Sequence, residues 1–123
     1  MKARFLMPIA VAIALLLGLP AGAHAGKIEA VASFSILGDM VREVGGDRVE
    51  VVTLVPPDSD AHVFDPTPAD AKLLAGAEIF FVNGLGFEGW MDRLEKSSGF
   101  KGPVVVASKG VTPRHMMKGK MEE

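Results

Sequence analysis

Residues 48–57 read Arg-Val-Glu-Val-Val-Thr-Leu-Val-Pro-Pro and carry the strongest strand signal in the chain. Val49, Val51, Val52, Leu54 and Val55 make the run almost continuously apolar, which suits a strand covered on both faces, as in a parallel sheet. Pro56-Pro57 ends it, because proline donates nothing to a strand ladder. Toward the N-terminus, Lys27 to Ser33 is a shorter strand. Ser33 or Ser35 is then expected to cap a helix running to about Val44. Phe34, Ile36, Leu37, Met40, Val41 and Val44 give that helix an apolar face, with Asp39, Arg42 and Glu43 opposite. Gly45-Gly46 supplies a left-handed stop. Toward the C-terminus, Asp58 to Pro66 is a polar loop. Thr67, Pro68 and Asp70 form a helix start of the capping-box kind, Leu73 and Leu74 supply the buried side, and Gly76 ends the helix. Glu78 to Asn83 is a third strand, Gly84-Leu85-Gly86 a turn, Glu88 to Lys96 a third helix, and Pro103 to Ala107 a fourth strand. The predicted order β-α-β-α-β-α-β argues for an α/β fold: a four-stranded parallel sheet with helices on both faces.

The chain has 123 residues, 13 Lys and Arg, 15 Asp and Glu, three His and no Cys. Its start is read as a secretory signal peptide over residues 1–25. Lys2 and Arg4 precede an apolar run from Phe5 to Leu19, and Ala23-His24-Ala25 is a small-x-small cleavage site. The run is shorter than the ~20 residues a spanning helix needs. Cleavage after Ala25 makes the remainder more acidic than the −2 of the whole chain, so the basic footprint of a nucleic-acid binder is absent. Zero Cys excludes a disulfide scaffold, a zinc-thiolate site and a lipid-modified N-terminal Cys. Residues 26–108 form the α/β unit. Residues 109–123 lose all periodicity and read as a flexible charged tail or the start of a loop.

The loop after the second strand carries Asp58, Asp60, His62 and Asp65. In an open α/β sheet, loops beyond the carboxyl ends of the strands form the ligand crevice. Neutral imidazole suits Zn²⁺, Mn²⁺ and Fe²⁺, so His62 is the candidate metal ligand; spacing alone favours a solvated His in an acidic loop, because one His does not make a site. An EF-hand is excluded, because its Gly and final Glu positions fall at Val63 and Ala69. Gly84-Leu85-Gly86-Phe87-Glu88-Gly89 matches the dinucleotide fingerprint literally, between a strand and a helix. Glu88, however, would set a negative charge where a pyrophosphate belongs, and no acidic residue ends the following strand. The alternative is a glycine-rich turn with Glu88 facing the helix dipole. His115-Met116-Met117 with Met121 is either a soft-metal tract or incidental polar sequence. Trp90 reads as core, at helical spacing from Leu94. Nothing supports a catalytic activity.

Five segments together resemble the N-terminal lobe of the periplasmic metal-binding proteins that feed ABC importers of zinc, manganese or iron. They are Ser33 to Met40 (SFSILGDM), Val44 to Asp47 (VGGD), Leu54 to Pro57 (LVPP), Asp60 to Pro68 (DAHVFDPTP) and Asn83 to Glu88 (NGLGFE). The resemblance implies two α/β lobes joined by a long helix, with metal held between them. It makes His62 the first metal-ligating His and Asn83 to Glu88 a turn near the cleft without a nucleotide. An acidic residue that directly precedes this His in some zinc-specific members is Ala61 here. The second His, the His or Glu, and the Asp of the family site match nothing in this chain, so the chain is expected to hold one lobe of a longer protein. The implied function is that of a solute-binding component for a divalent transition metal, Zn²⁺ or Mn²⁺ as transported ligand, without an organic cofactor. A membrane ABC permease is the implied partner, and the protein is expected to be monomeric and periplasmic or otherwise exported. The rival expectations are an exported adhesin-like interaction protein and a fragment without stable function.

Overall fold

β-Branched runs alternate with helix-forming stretches throughout residues 26–114, the part of the chain described by the computed structural model. The expected signal peptide and the tract from His115 onward lie outside the described residues. Strand β1 spans Ile28–Phe34, helix α1 Ser35–Gly45, and a single 3-10 turn Gly46–Arg48 leads to β2, Val49–Val55. Then come α2 at Pro68–Ala75, β3 at Ile79–Val82, α3 at Met91–Ser98 and β4 at Val104–Val106. The four strands form one parallel sheet in the order β2-β1-β3-β4. Ala30 lies in register with Val51 on one side and Ile79 on the other.

Strand alternation divides the core into two layers, because successive side chains point to opposite faces. Ala30, Ala32 and Val51 pack with Leu37 and Val41 of α1. On the other face, Val31, Leu54, Phe80 and Val82 meet Leu74 of α2 and Leu94 of α3. The expectation of helices on both faces holds. The alanines of β1 leave room for α1, and Gly38 on its inner face lets it come closer still: a Cβ there would collide with the Thr53 methyl.

Four local expectations are corrected. Neither serine caps α1: Phe34 holds the N-cap position without a side-chain bond, and Ser33, fully buried, directs its hydroxyl to Glu88 instead. The apolar face of α1 is narrower than its sequence suggests. Leu37, Gly38 and Val41 are buried, whereas Ile36, Met40 and Val44 stand in solvent, Val44 at 91% exposure. Each lies one residue, about 100° of helix, from the line that meets the sheet. Strand β2 is not covered on both faces. It is an edge strand, and Val52 is 38% exposed because α2 and α3 sit over the middle of the sheet; Leu73 is left half-exposed with it. Finally, α3 begins at Met91 rather than Glu88.

The start of α2 is as expected. Thr67 accepts from the Asp70 backbone N–H, and the Asp70 carboxylate accepts from the Thr67 backbone N–H at 2.7 Å. This capping box fixes where the His62 loop ends and the helix begins.

Candidate functional site

The strand order places a topological switch point between β1 and β3, since the chain leaves β1 toward β2 and later returns on its other side. Ligand crevices of open parallel sheets form there, beyond the carboxyl ends. Ser33, near the end of β1, and Asn83, just after β3, mark this spot, and the loop following β2 brings His62 beside it.

Each turn of that loop has a physical anchor. The Trp90 indole N–H donates to the Ala61 carbonyl at 2.7 Å. Trp90 is 3% exposed in the core beside Leu94, as its spacing implied, and Phe64 packs on it edge to face at 4.9 Å. Asp65 pairs with Arg93 of α3 at 3.0 Å in solvent. Asp60 turns back on the loop: its Oδ1 accepts from the His62 backbone N–H at 2.8 Å and lies 3.0 Å from His62 Nδ1. These bonds to His62, the backbone one first, hold the Asp60 carboxyl below the usual aspartate range.

An ionised carboxylate only accepts, so Nδ1 carries the proton facing Asp60, and Nε2 of a neutral imidazole keeps its lone pair. A carboxylate behind the ring in this way fixes the tautomer of the ring. The His62 side chain is 65% exposed. It opens on a depression of about 660 Å³ that is also lined by Phe64, Asp65, Trp90 and Arg93. The Phe87 ring meets the imidazole edge-on at 4.7 Å and lies tilted against Phe34 at 4.9 Å. Among the described residues, no group of three His, Asp or Glu side chains converges tightly enough to hold a metal ion. Asp58 and Asp65, which share the loop with His62, do not join it in such a cluster.

Glu88 is the residue whose role the sequence missed. It is 7% exposed. Its Oε1 accepts from the Ser33 hydroxyl at 2.7 Å and the Asn83 backbone N–H at 2.6 Å, and its Oε2 accepts from the Gly84 backbone N–H at 3.0 Å. The side chain does not face the α3 dipole; it fills the anion position of its own glycine-rich turn. A dinucleotide pyrophosphate would need the same backbone N–H groups, so the fingerprint match carries no nucleotide site here. The usable signal was the acidic residue four positions after Gly84, inside a run of backbone donors.

Parallel strands and a switch point, with loops gathered at the carboxyl ends, define an open α/β unit of the kind in which ligand crevices lie beyond the strand ends. The family described as zinc-uptake complex component A, periplasmic (ZnuA), matches residues 30–123, and the chain belongs to that family. It is 39% identical over 71 residues to the manganese-binding lipoprotein MntA of Halalkalibacterium halodurans, covering 58% of this chain and 24% of that protein. It is 33% identical to the metal ABC transporter substrate-binding lipoprotein FimA of Streptococcus parasanguinis, with 73% and 32% covered. The Mn-bound periplasmic metal-binding protein of Candidatus Liberibacter asiaticus superposes with a TM-score of 0.67 at 29% identity, over 76% of this chain and 35% of that one. The chain thus spans about a quarter to a third of the length of these relatives.

Proposed function

We propose that this chain is the metal-capturing N-terminal lobe of an ABC-importer substrate-binding protein for a divalent transition metal, with His62 supplying one ligand through Nε2. The observation that carries this is the pairing of an exposed imidazole with an ionised carboxylate behind it, at the carboxyl edge of the sheet in a member of this family. The cation is cargo, Zn²⁺ or Mn²⁺: the family description names zinc, while a relative and a solved neighbour are named for manganese. A closed site takes about four ligands, so the remaining donors come from the second lobe of the full-length protein. Release goes to a membrane permease on the outer side of the membrane, to which export through the 1–25 signal peptide delivers the protein. These relatives are transport components, and no catalytic role is assigned to any residue.

Titration of the full chain with Zn²⁺ by calorimetry tests the proposal. The expected result is weak binding that is lost in His62→Ala. Binding unchanged in His62→Ala would remove His62 from the site.

A further inference from the structure

Metal capture as proposed above uses His62 and leaves the buried carboxylate of Glu88 unexplained. Glu88 links the two strands that flank the switch point: Ser33 near the end of β1, and Asn83 and Gly84 after β3. Between it and β3 lies a turn of three consecutive residues with positive φ, Gly84 at +83°, Leu85 at +57° and Gly86 at +77°. Leu85 holds a left-handed conformation that a side chain disfavours, and such a turn persists only where its surroundings over-determine it. The carboxylate bonds to Asn83 and Gly84 do this at its entrance, and the Phe87 N–H bond to the Gly84 carbonyl, 3.1 Å, closes it. The residue so delivered is Phe87, whose ring lies against both Phe34 and the His62 imidazole.

We infer that Glu88 is the positioning residue for His62. Its carboxylate fixes the Gly84–Gly86 turn, the turn seats the Phe87 ring, and the ring sets the plane of the imidazole and hence the direction of Nε2. Asp60 selects which nitrogen is free; Glu88, acting through Phe87, selects where it points. This rests on His62 being the metal ligand, and its first readout is independent of metal.

The variant is Glu88→Gln. An amide offers one acceptor oxygen where the carboxylate uses two. With that oxygen placed toward Ser33 and Asn83, the amide NH₂ faces the Gly84 N–H, donor against donor, and the turn must move. In metal-free full chain, the His62 ring proton resonances are expected to shift as the Phe87 ring current changes, with the far-UV circular dichroism retained. Zn²⁺ affinity is expected to fall about 10-fold, as for loss of an outer-shell partner of a metal ligand. Ser33→Ala, which removes one donor and leaves both backbone bonds, should shift the same resonances by less. It decides the matter if Glu88→Gln does not fold. Val41→Ala, a destabilising change in the core layer on the opposite face of the sheet, should leave the His62 ring resonances and Zn²⁺ affinity where they are. Unshifted His62 resonances in Ser33→Ala and in folded Glu88→Gln would overturn the inference. A His62→Ala chain that still binds Zn²⁺ would overturn the metal reading, leaving the resonance result to stand on its own.

Discussion

Replacing Trp90 with Phe removes the buried side-chain bond that fastens the His62 loop to the core. The indole N–H donates to the Ala61 carbonyl at 2.7 Å, and both residues are buried. Phe keeps an aromatic ring against Phe64 and Leu94 but has no donor. Leaving a buried carbonyl without its partner costs about 1–3 kcal/mol. The lost half of the indole leaves a partial cavity; full truncation of Trp to Ala costs ~3–5 kcal/mol, so the smaller change to Phe adds about 1 kcal/mol. The sum is about 2–4 kcal/mol, a large share of the roughly 5–10 kcal/mol that holds a domain of this size. Because Trp90 is the sole tryptophan, urea unfolding should be followed by circular dichroism rather than fluorescence. The midpoint should fall by more than ~1 M. Amides of residues 60–64 should also exchange faster than the loss of global stability requires. A change under ~0.5 kcal/mol with unaltered exchange would refute the view that Trp90 anchors this loop.

Three further outcomes are expected. Thr67→Ala breaks the capping box at α2 and should lower stability by about 1 kcal/mol in urea unfolding; no loss would mean that Pro68 and Asp70 suffice. Leu37→Ala should cost about 2–4 kcal/mol, whereas Val44→Ser, on the same helix, should stay within about 0.5 kcal/mol; comparable losses would restore the broad apolar face that the sequence suggested. The Asp60 carboxyl is held down by its bonds to His62, so its carboxyl ¹³C signal should titrate below the ~3.9 of a free aspartate. A folded value below the unfolded one contributes stability that is present above ~3.9 and lost as pH falls through the folded value. Titration at or above ~3.9 would show that the Asp60–His62 bonds do not form in solution.

Local chemistry was the legible part of this sequence. Thr67-Pro68-Ala69-Asp70 announces its helix because every cap partner lies within four residues. The alternation of β-branched runs with helices announces a parallel sheet, since such strands must be joined by crossovers. What was not legible depends on partners distant in sequence. The apolar run of β2 reads alike for a central and an edge strand, and only the sheet order shows that Val52 lacks a cover. Ile36, Met40 and Val44 match the helical period, yet which side of α1 meets the sheet is set by Gly38 against Thr53. Ser33 has the composition of a cap, but its hydroxyl is claimed by Glu88, 55 residues away. At the candidate site, the sequence supplied His62 and the family resemblance. The Trp90 anchor and the Glu88 bond to Ser33 are tertiary, whereas the Asp60 bond that frees Nε2 joins residues two apart and depends on how the loop turns.

The central claim is that Nε2 of His62 is the atom that meets the metal. Long-range ¹H–¹⁵N correlation spectra of the full chain, recorded with increasing Zn²⁺ at neutral pH, report on both ring nitrogens of each histidine. The account predicts that the His62 Nε2 resonance moves with added Zn²⁺ while Nδ1 stays protonated and bonded to Asp60. Movement at Nδ1 instead, or a His62 ring indifferent to Zn²⁺, would contradict it.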